Sequence, residues 1–209
     1  MNWHELQEGL ASALAATTPV EGAAAALGLV YVLLAIRQSA ACWLAALVST
    51  ALYLVVFYRA RLYMQAALQL YYVAIALYGS WSWRRGAAGG RLAVSRASWR
   101  LQAAGLAAIV AATLASAGWL AREGGSPQPY LDSLTTWASV FTTWLVARKA
   151  LENWAWWLAV DALIVVLCWQ QKLYATMLLY VLYLGLVIVG WRAWYRDMQV
   201  QAAARAGSG

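Results

Sequence analysis

The run Leu-Glu-Asn-Trp-Ala-Trp-Trp-Leu-Ala-Val-Asp, from Leu151 to Asp161, puts an acid, an amide, three indoles and a second acid at the head of an apolar stretch that continues to Trp169. On a helix Trp154, Trp157 and Asp161 fall at i, i+3 and i+7 and so share one face. Indole faces stack on flat rings and attract cations, and a carboxylate supplies the counter-charge. That face suits the lining of a pocket for a flat, cationic ring. Covalent chemistry would need a nucleophile with a base, or a metal held by His and carboxylates, and the only histidine, His4, precedes the first apolar run. Cys42 and Cys168 follow no metal spacing and read as buried, inert side chains. No enzyme activity, metal or cofactor is expected.

Such a face needs a scaffold, and the composition names its class. Hydrophobic residues make up 64% of the chain and charged ones 11%, against roughly a quarter charged in soluble domains. Seven apolar runs, near 20–36, 40–58, 62–83, 99–120, 130–147, 151–170 and 172–195, each approach the ~17–25 residues that cross a bilayer as a helix. Backbone groups in hydrocarbon must bond within their own segment, and runs that are continuously apolar rather than alternating do so as helices. The expectation is an all-α membrane protein of seven spans.

The net charge of +7 therefore reports topology, not nucleic acid. With the N-terminus outside, the inner loops collect Arg37, Arg84, Arg85, Arg91, Arg96, Arg100, Arg148, Lys149, Arg192, Arg196 and Arg205, while Arg59, Arg61, Arg122 and Lys172 remain outside. Positive charge concentrates on the cytoplasmic side, which predicts N-terminus out, C-terminus in, and membrane lipids as partners. Residues 1–18 hold Glu5 and Glu8 and no basic n-region, so they read as an interfacial segment rather than a cleaved signal.

Sliding the sequence by 111 residues aligns 20–85 with 131–196 without a gap. Arg37 falls on Arg148, Trp43 on Trp154, Leu62-Tyr63 on Leu173-Tyr174, Tyr72 on Tyr183, Gly79 on Gly190 and Trp83 on Trp194. Two three-helix repeats separated by one unmatched helix enter the membrane from the same side. This is the 3+1+3 parallel-repeat arrangement of SWEET-like bundles, whose substrate lies between the repeats near mid-membrane. The chain then divides into the N-terminal segment 1–18, a first repeat 19–85, a basic inner loop, linker helix and outer turn 86–129, a second repeat 130–196 and a flexible cytoplasmic tail 197–209.

Polar residues inside the spans narrow the site. Gln65, Gln69 and Tyr72 form a stripe on the third span, with Thr176, Tyr180 and Tyr183 in their places on the seventh. Trp43 and Thr50 hold the positions of Trp154 and Asp161. At about 1.5 Å per residue, Asp161 lies roughly 15 Å from the inner end of its run, and Gln69 and Tyr180 lie roughly 11–12 Å from the outer ends of theirs. In a core of ~30 Å all three fall near the middle. On the fifth span Asp132, Thr136, Ser139 and Thr143 either line the pocket or bond back to their own helix. The segment Tyr78 to Arg85 reads as an aromatic belt with snorkelling arginines, and Trp3, Trp99, Trp119, Trp169, Trp191 and Trp194 read as interface anchors. Trp154, near the inner end of its run, is either an anchor or pocket lining.

Over 20–196 these residues resemble the PnuC vitamin transporters. The resemblance rests on Arg148-Lys149 followed by Glu152-Asn153-Trp154 and Trp157, on Leu173-Tyr174 with Gly190-Trp191 and Trp194, and on Leu62-Tyr63, Leu68-Gln69 and Tyr78-Gly79 to Trp83. It implies the SWEET-like fold and a pocket at Asn153, Trp154, Trp157 and Gln69. It also implies facilitated diffusion of an unphosphorylated vitamin across a bacterial inner membrane, with a cytoplasmic kinase trapping the product, and a homotrimer. Nicotinamide riboside is the family's best-known substrate, while relatives carry thiamine, riboflavin or deoxynucleosides. Two positions depart from the pattern: Ser80 replaces the usual Trp, and Cys42 replaces an Asn common before Trp43.

Overall fold

A computed structural model describes residues 18–59, 63–85, 92–123, 128–170 and 174–206, with the isolated positions 7 and 11. The segment bearing His4, Glu5 and Glu8, the loop residues 86–91, the outer turn 124–127 and the Gln65 side chain lie outside the described residues. Seven helices are described: α1 Pro19–Ile36, α2 Cys42–Arg59, α3 Tyr63–Arg84, α4 Trp99–Glu123, α5 Pro129–Ala147, α6 Asn153–Gln170 and α7 Tyr174–Ala206. Each of α1 to α6 follows one predicted apolar run within a few residues. Pro19 opens α1 because its fixed φ and missing N–H suit a first helical position. α7 is longer than its apolar run and continues through 197–206, where the sequence predicts a flexible tail. Ala202, Ala203 and Ala204 have the highest helix propensity of any residue and extend it.

Trp99–Trp119, Asn153–Gln170 and Thr176–Ala204 are long and apolar enough to cross a membrane, and Gly22–Ile36 and Cys42–Val56 are shorter apolar stretches. α3 and α5 are diluted by polar residues, and those residues are largely buried: Gln69 on α3, and Ser133, Thr135, Ser139, Thr142 and Thr143 on α5. Large apolar side chains such as Leu44, Leu70, Leu77, Leu114 and Leu182 are exposed instead. Polar groups turned inward with leucines outward is the arrangement a lipid solvent requires.

By contacts the chain forms two compact units. The first comprises, among the described residues, Arg96–Leu145 and Leu151–Ile188. Its core is Ile109 of α4, Ala138 of α5 and Val160 of α6, with Leu134, Phe141, Trp156, Trp157 and Ile164 packed around them. Phe141 meets Trp156 edge-on at 5.2 Å between centroids. A Cβ on Gly105 would overlap the Phe141 ring, so the glycine lets α4 approach α5 closely.

The second unit comprises Ala16–Ser95, Val146–Ala150 and Val189–Gly209. Within it α1 packs on α2 and α2 on α3, with Ser49 Oγ donating to the Ala24 carbonyl at 2.8 Å. Gly79 lies against the Trp43 ring, and a Cβ there would overlap it. Trp43 meets Tyr31 at 5.9 Å and Trp83 at 5.5 Å, and Trp83 meets Trp194 at 5.8 Å, all edge-on.

Trp83 and Trp194 correct the sequence reading. Both are buried, at 2% and 0% exposure. Trp83 Nε1 donates to the Val146 carbonyl at 3.1 Å and Trp194 Nε1 to the Ala35 carbonyl at 3.0 Å. These carbonyls belong to the last turns of α5 and α1 and also accept the Lys149 and Gln38 N–H groups at 2.9 Å, so each indole takes the second lone pair of its oxygen. The two indoles cap helix ends rather than anchor to an interface. The donors are 111 residues apart and so are the acceptors, so one bond is the repeat image of the other. Among the remaining tryptophans Trp81, Trp99, Trp119 and Trp169 are exposed, as anchors require, and Trp191 is half-buried.

Candidate functional site

α6 begins at Asn153 because the chain turns at 148–152, and its buried residues are Asn153, Trp154, Val160, Asp161 and Cys168. These positions recur at helical spacing, so the polar and aromatic head of the helix shares a buried stripe with Val160. Asn153 is fully buried and Trp154 is 4% exposed, which removes the anchor alternative for Trp154. Trp157 is half-buried against the Val160 cluster.

Asp161 is the decisive side chain. It is 3% exposed, and its Oδ1 has no hydrogen-bond partner among the described residues. A buried carboxylate oxygen left unpaired is costly, which within a membrane helix makes Asp161 the first candidate for ligand contact. Thr136 on α5 and Tyr180 on α7 belong to the same unit and are half-buried. Neighbouring α5 hydroxyls turn back on their own helix: Ser139 donates to the Thr135 carbonyl and Thr143 to the Ser139 carbonyl, both at 2.7 Å. The backward-bonding alternative therefore holds at those two positions.

The second unit supplies the repeat-related set. Trp43 is 1% exposed and its Nε1 has no hydrogen-bond partner among the described residues, so it presents a donor as Asp161 presents an acceptor. Gln69 is buried and Tyr72 half-buried. Thr50, which matches Asp161, donates back to the Ala46 carbonyl at 2.8 Å, so its hydroxyl is taken up by its own helix. Both cysteines are buried and free.

Sequence reasoning missed a polar chain in the second unit. Lys149 Nζ donates to Gln38 Oε1 at 3.1 Å, Gln38 Nε2 donates to Asp197 Oδ2 at 3.1 Å, and Gln201 Nε2 donates to the same oxygen at 2.7 Å. These groups line a cavity of about 560 Å³. A signal existed, because Gln38 and Lys149 each follow the matched Arg37 and Arg148 and lie 111 residues apart. In the first unit Glu152 Oε2 accepts from the Ala97 N–H at 2.7 Å, holding the residues before α4 to the turn that carries Asn153.

The pattern of the family described as nicotinamide mononucleotide transporter matches residues 18–196. The chain belongs to this family. Its match spans six of the seven helices and most of α7. The member is 32% identical over 173 residues to the riboflavin/roseoflavin transporter RibM of Streptomyces davaonensis, covering 81% of each chain. Its fold resembles the crystal structure of the vitamin B3 transporter PnuC, with a TM-score of 0.68, 25% identity, and coverage of 95% of this chain and 93% of that one. Both relatives are transporters by name. The nicotinamide mononucleotide transporter family member described here is accordingly a multi-pass, all-helical membrane protein and stands with transporters, not with enzymes.

Proposed function

We propose that the protein is a passive carrier for an unphosphorylated vitamin with a flat heteroaromatic ring, nicotinamide riboside first. The observation that carries this reading is Asp161, buried in α6 with an oxygen unpaired and an indole one helical turn away. A positively charged pyridinium satisfies the carboxylate and stacks on Trp154 or Trp157. Within the same unit Asn153, Tyr180 and Thr136 add hydrogen bonds and a ring face, and the other unit carries its own repeat-related candidates, Trp43, Gln69 and Tyr72. No Lys or Arg occurs in 150–171, so α6 offers nothing to pair with a phosphate, and a kinase on the far side would trap the product.

The repeats are taken as parallel, 3+1+3, with N-terminus out and C-terminus in across a bacterial inner membrane. The image-related Trp83 and Trp194 bonds support the repeat, and the distribution of arginines supports the orientation. A second substrate, riboflavin, is favoured by the identity to RibM. Its ring is uncharged, so it would use the indoles and amides and not the charge of Asp161.

Thermal stability of the purified protein with each candidate separates these readings, because a ligand that binds only the folded state raises the melting temperature. Nicotinamide riboside is expected to raise it, with nicotinamide mononucleotide and thiamine giving less. A rise with riboflavin alone moves the assignment to the second substrate, and a rise with the mononucleotide alone rejects the unphosphorylated class.

A further inference from the structure

Gln38 and Lys149 are the described non-glycine residues with left-handed backbone, at φ 53° and 50°. Gln38 follows α1 as the C′ residue of a Schellman turn: its N–H bonds the Ala35 carbonyl at 2.9 Å, and the Ser39 N–H bonds the Leu34 carbonyl at 2.9 Å. Lys149 repeats this after α5, its N–H on the Val146 carbonyl at 2.9 Å. Glycine is the favoured residue at such a position, since it has no Cβ to strain. Strain kept at both image-related positions points to work done by the side chains, and the two side chains bond each other.

From that pair the chain of bonds runs on to Asp197 and Gln201 on the last helix. Two inter-helix turns and α7 are thus joined by bonds between side chains, beside the cavity that the same groups line, with the Lys149 ammonium also 4.7 Å over the Trp83 ring. The neighbouring indole bonds differ in kind, being buried and to backbone carbonyls. A carrier needs contacts at each end that form and break in every cycle, and contacts that persist. Bonds bordering a cavity exchange readily for water, whereas a bond in a dry, packed setting does not.

We propose that Asp197, with Gln38 and Lys149, is a gating latch that holds the arginine-rich end of the carrier shut and opens during transport, while the Trp83 and Trp194 caps stay formed. The latch rests on the carrier reading but on no particular vitamin. Asp197 joins the two turns to α7, and position 86, its repeat image, is glycine, so the acid of the latch has no counterpart in the first repeat.

The test uses Val94→Cys as a reporter, a 6% exposed residue next to the cavity-lining Ala93, in the full chain with Cys42→Ala and Cys168→Ala. Maleimide labelling of the purified protein is timed with and without Gln38→Gly, Asp197→Ala and Asp197→Asn. Gln38→Gly removes the latch side chain and relieves the backbone at once, so the melting temperature is expected to hold or rise while labelling accelerates about tenfold, the worth of one or two hydrogen bonds. Asp197→Ala is expected to match it and Asp197→Asn to fall between. Unchanged labelling in Gln38→Gly, or faster labelling with a lowered melting temperature in that variant, overturns the latch in favour of a structural tie. Labelling needs no vitamin, so a wrong substrate assignment shows in the binding series and leaves this result readable.

Discussion

Among single residues Asp161 stands apart. A carboxylate 3% exposed with Oδ1 unpartnered opposes folding unless something else requires it, and a cationic ligand is the simplest thing that does. Asp161→Asn keeps the shape and removes the charge. Charge-assisted contacts are worth about 1.5–3 kcal/mol, so the variant is expected to bind nicotinamide riboside about 10–100-fold more weakly by calorimetry. Riboflavin, being neutral, should bind the variant about as well as the parent. Equal nicotinamide riboside affinity in parent and variant would remove the acid from the site. Asp161 was legible in the sequence because one acid in an apolar run has few explanations. The roles of Gln38, Lys149 and Asp197 were not, because a polar residue at a helix end is ordinary in any sequence and gains meaning only from its partners.

At the scale of helices, boundaries were legible and contacts were not. Hydropathy locates α1 to α6 because lipid leaves the backbone little choice, yet it cannot tell an indole in a headgroup layer from one bonded to a carbonyl. Trp81 and Trp83 stand two residues apart beside the same arginines; the first is 54% exposed with the Arg85 guanidinium 5.8 Å from its ring, the second is buried on Val146. The repeat held the missing signal, since Trp83 and Trp194 match across it while Trp81 falls on Arg192. If both caps do the same work, Trp83→Phe and Trp194→Phe should each cost about 1–3 kcal/mol from a lost hydrogen bond and a cavity, seen as similar falls in melting temperature. A fall in one variant alone would break the equivalence.

For the whole molecule, the candidate site and the latch divide the work of a carrier. In the proposed carrier the residues around Asp161 supply recognition, and the chain from Lys149 to Gln201 supplies control at one end. In the proposed passive carrier, transport runs down the vitamin's own gradient. Uptake of labelled nicotinamide riboside into proteoliposomes tests this most directly. The account predicts entry faster than into empty liposomes, a plateau at equal concentrations inside and out, and strong slowing by Asp161→Asn. Accumulation above the outside concentration, or entry no faster than into protein-free vesicles, would contradict it.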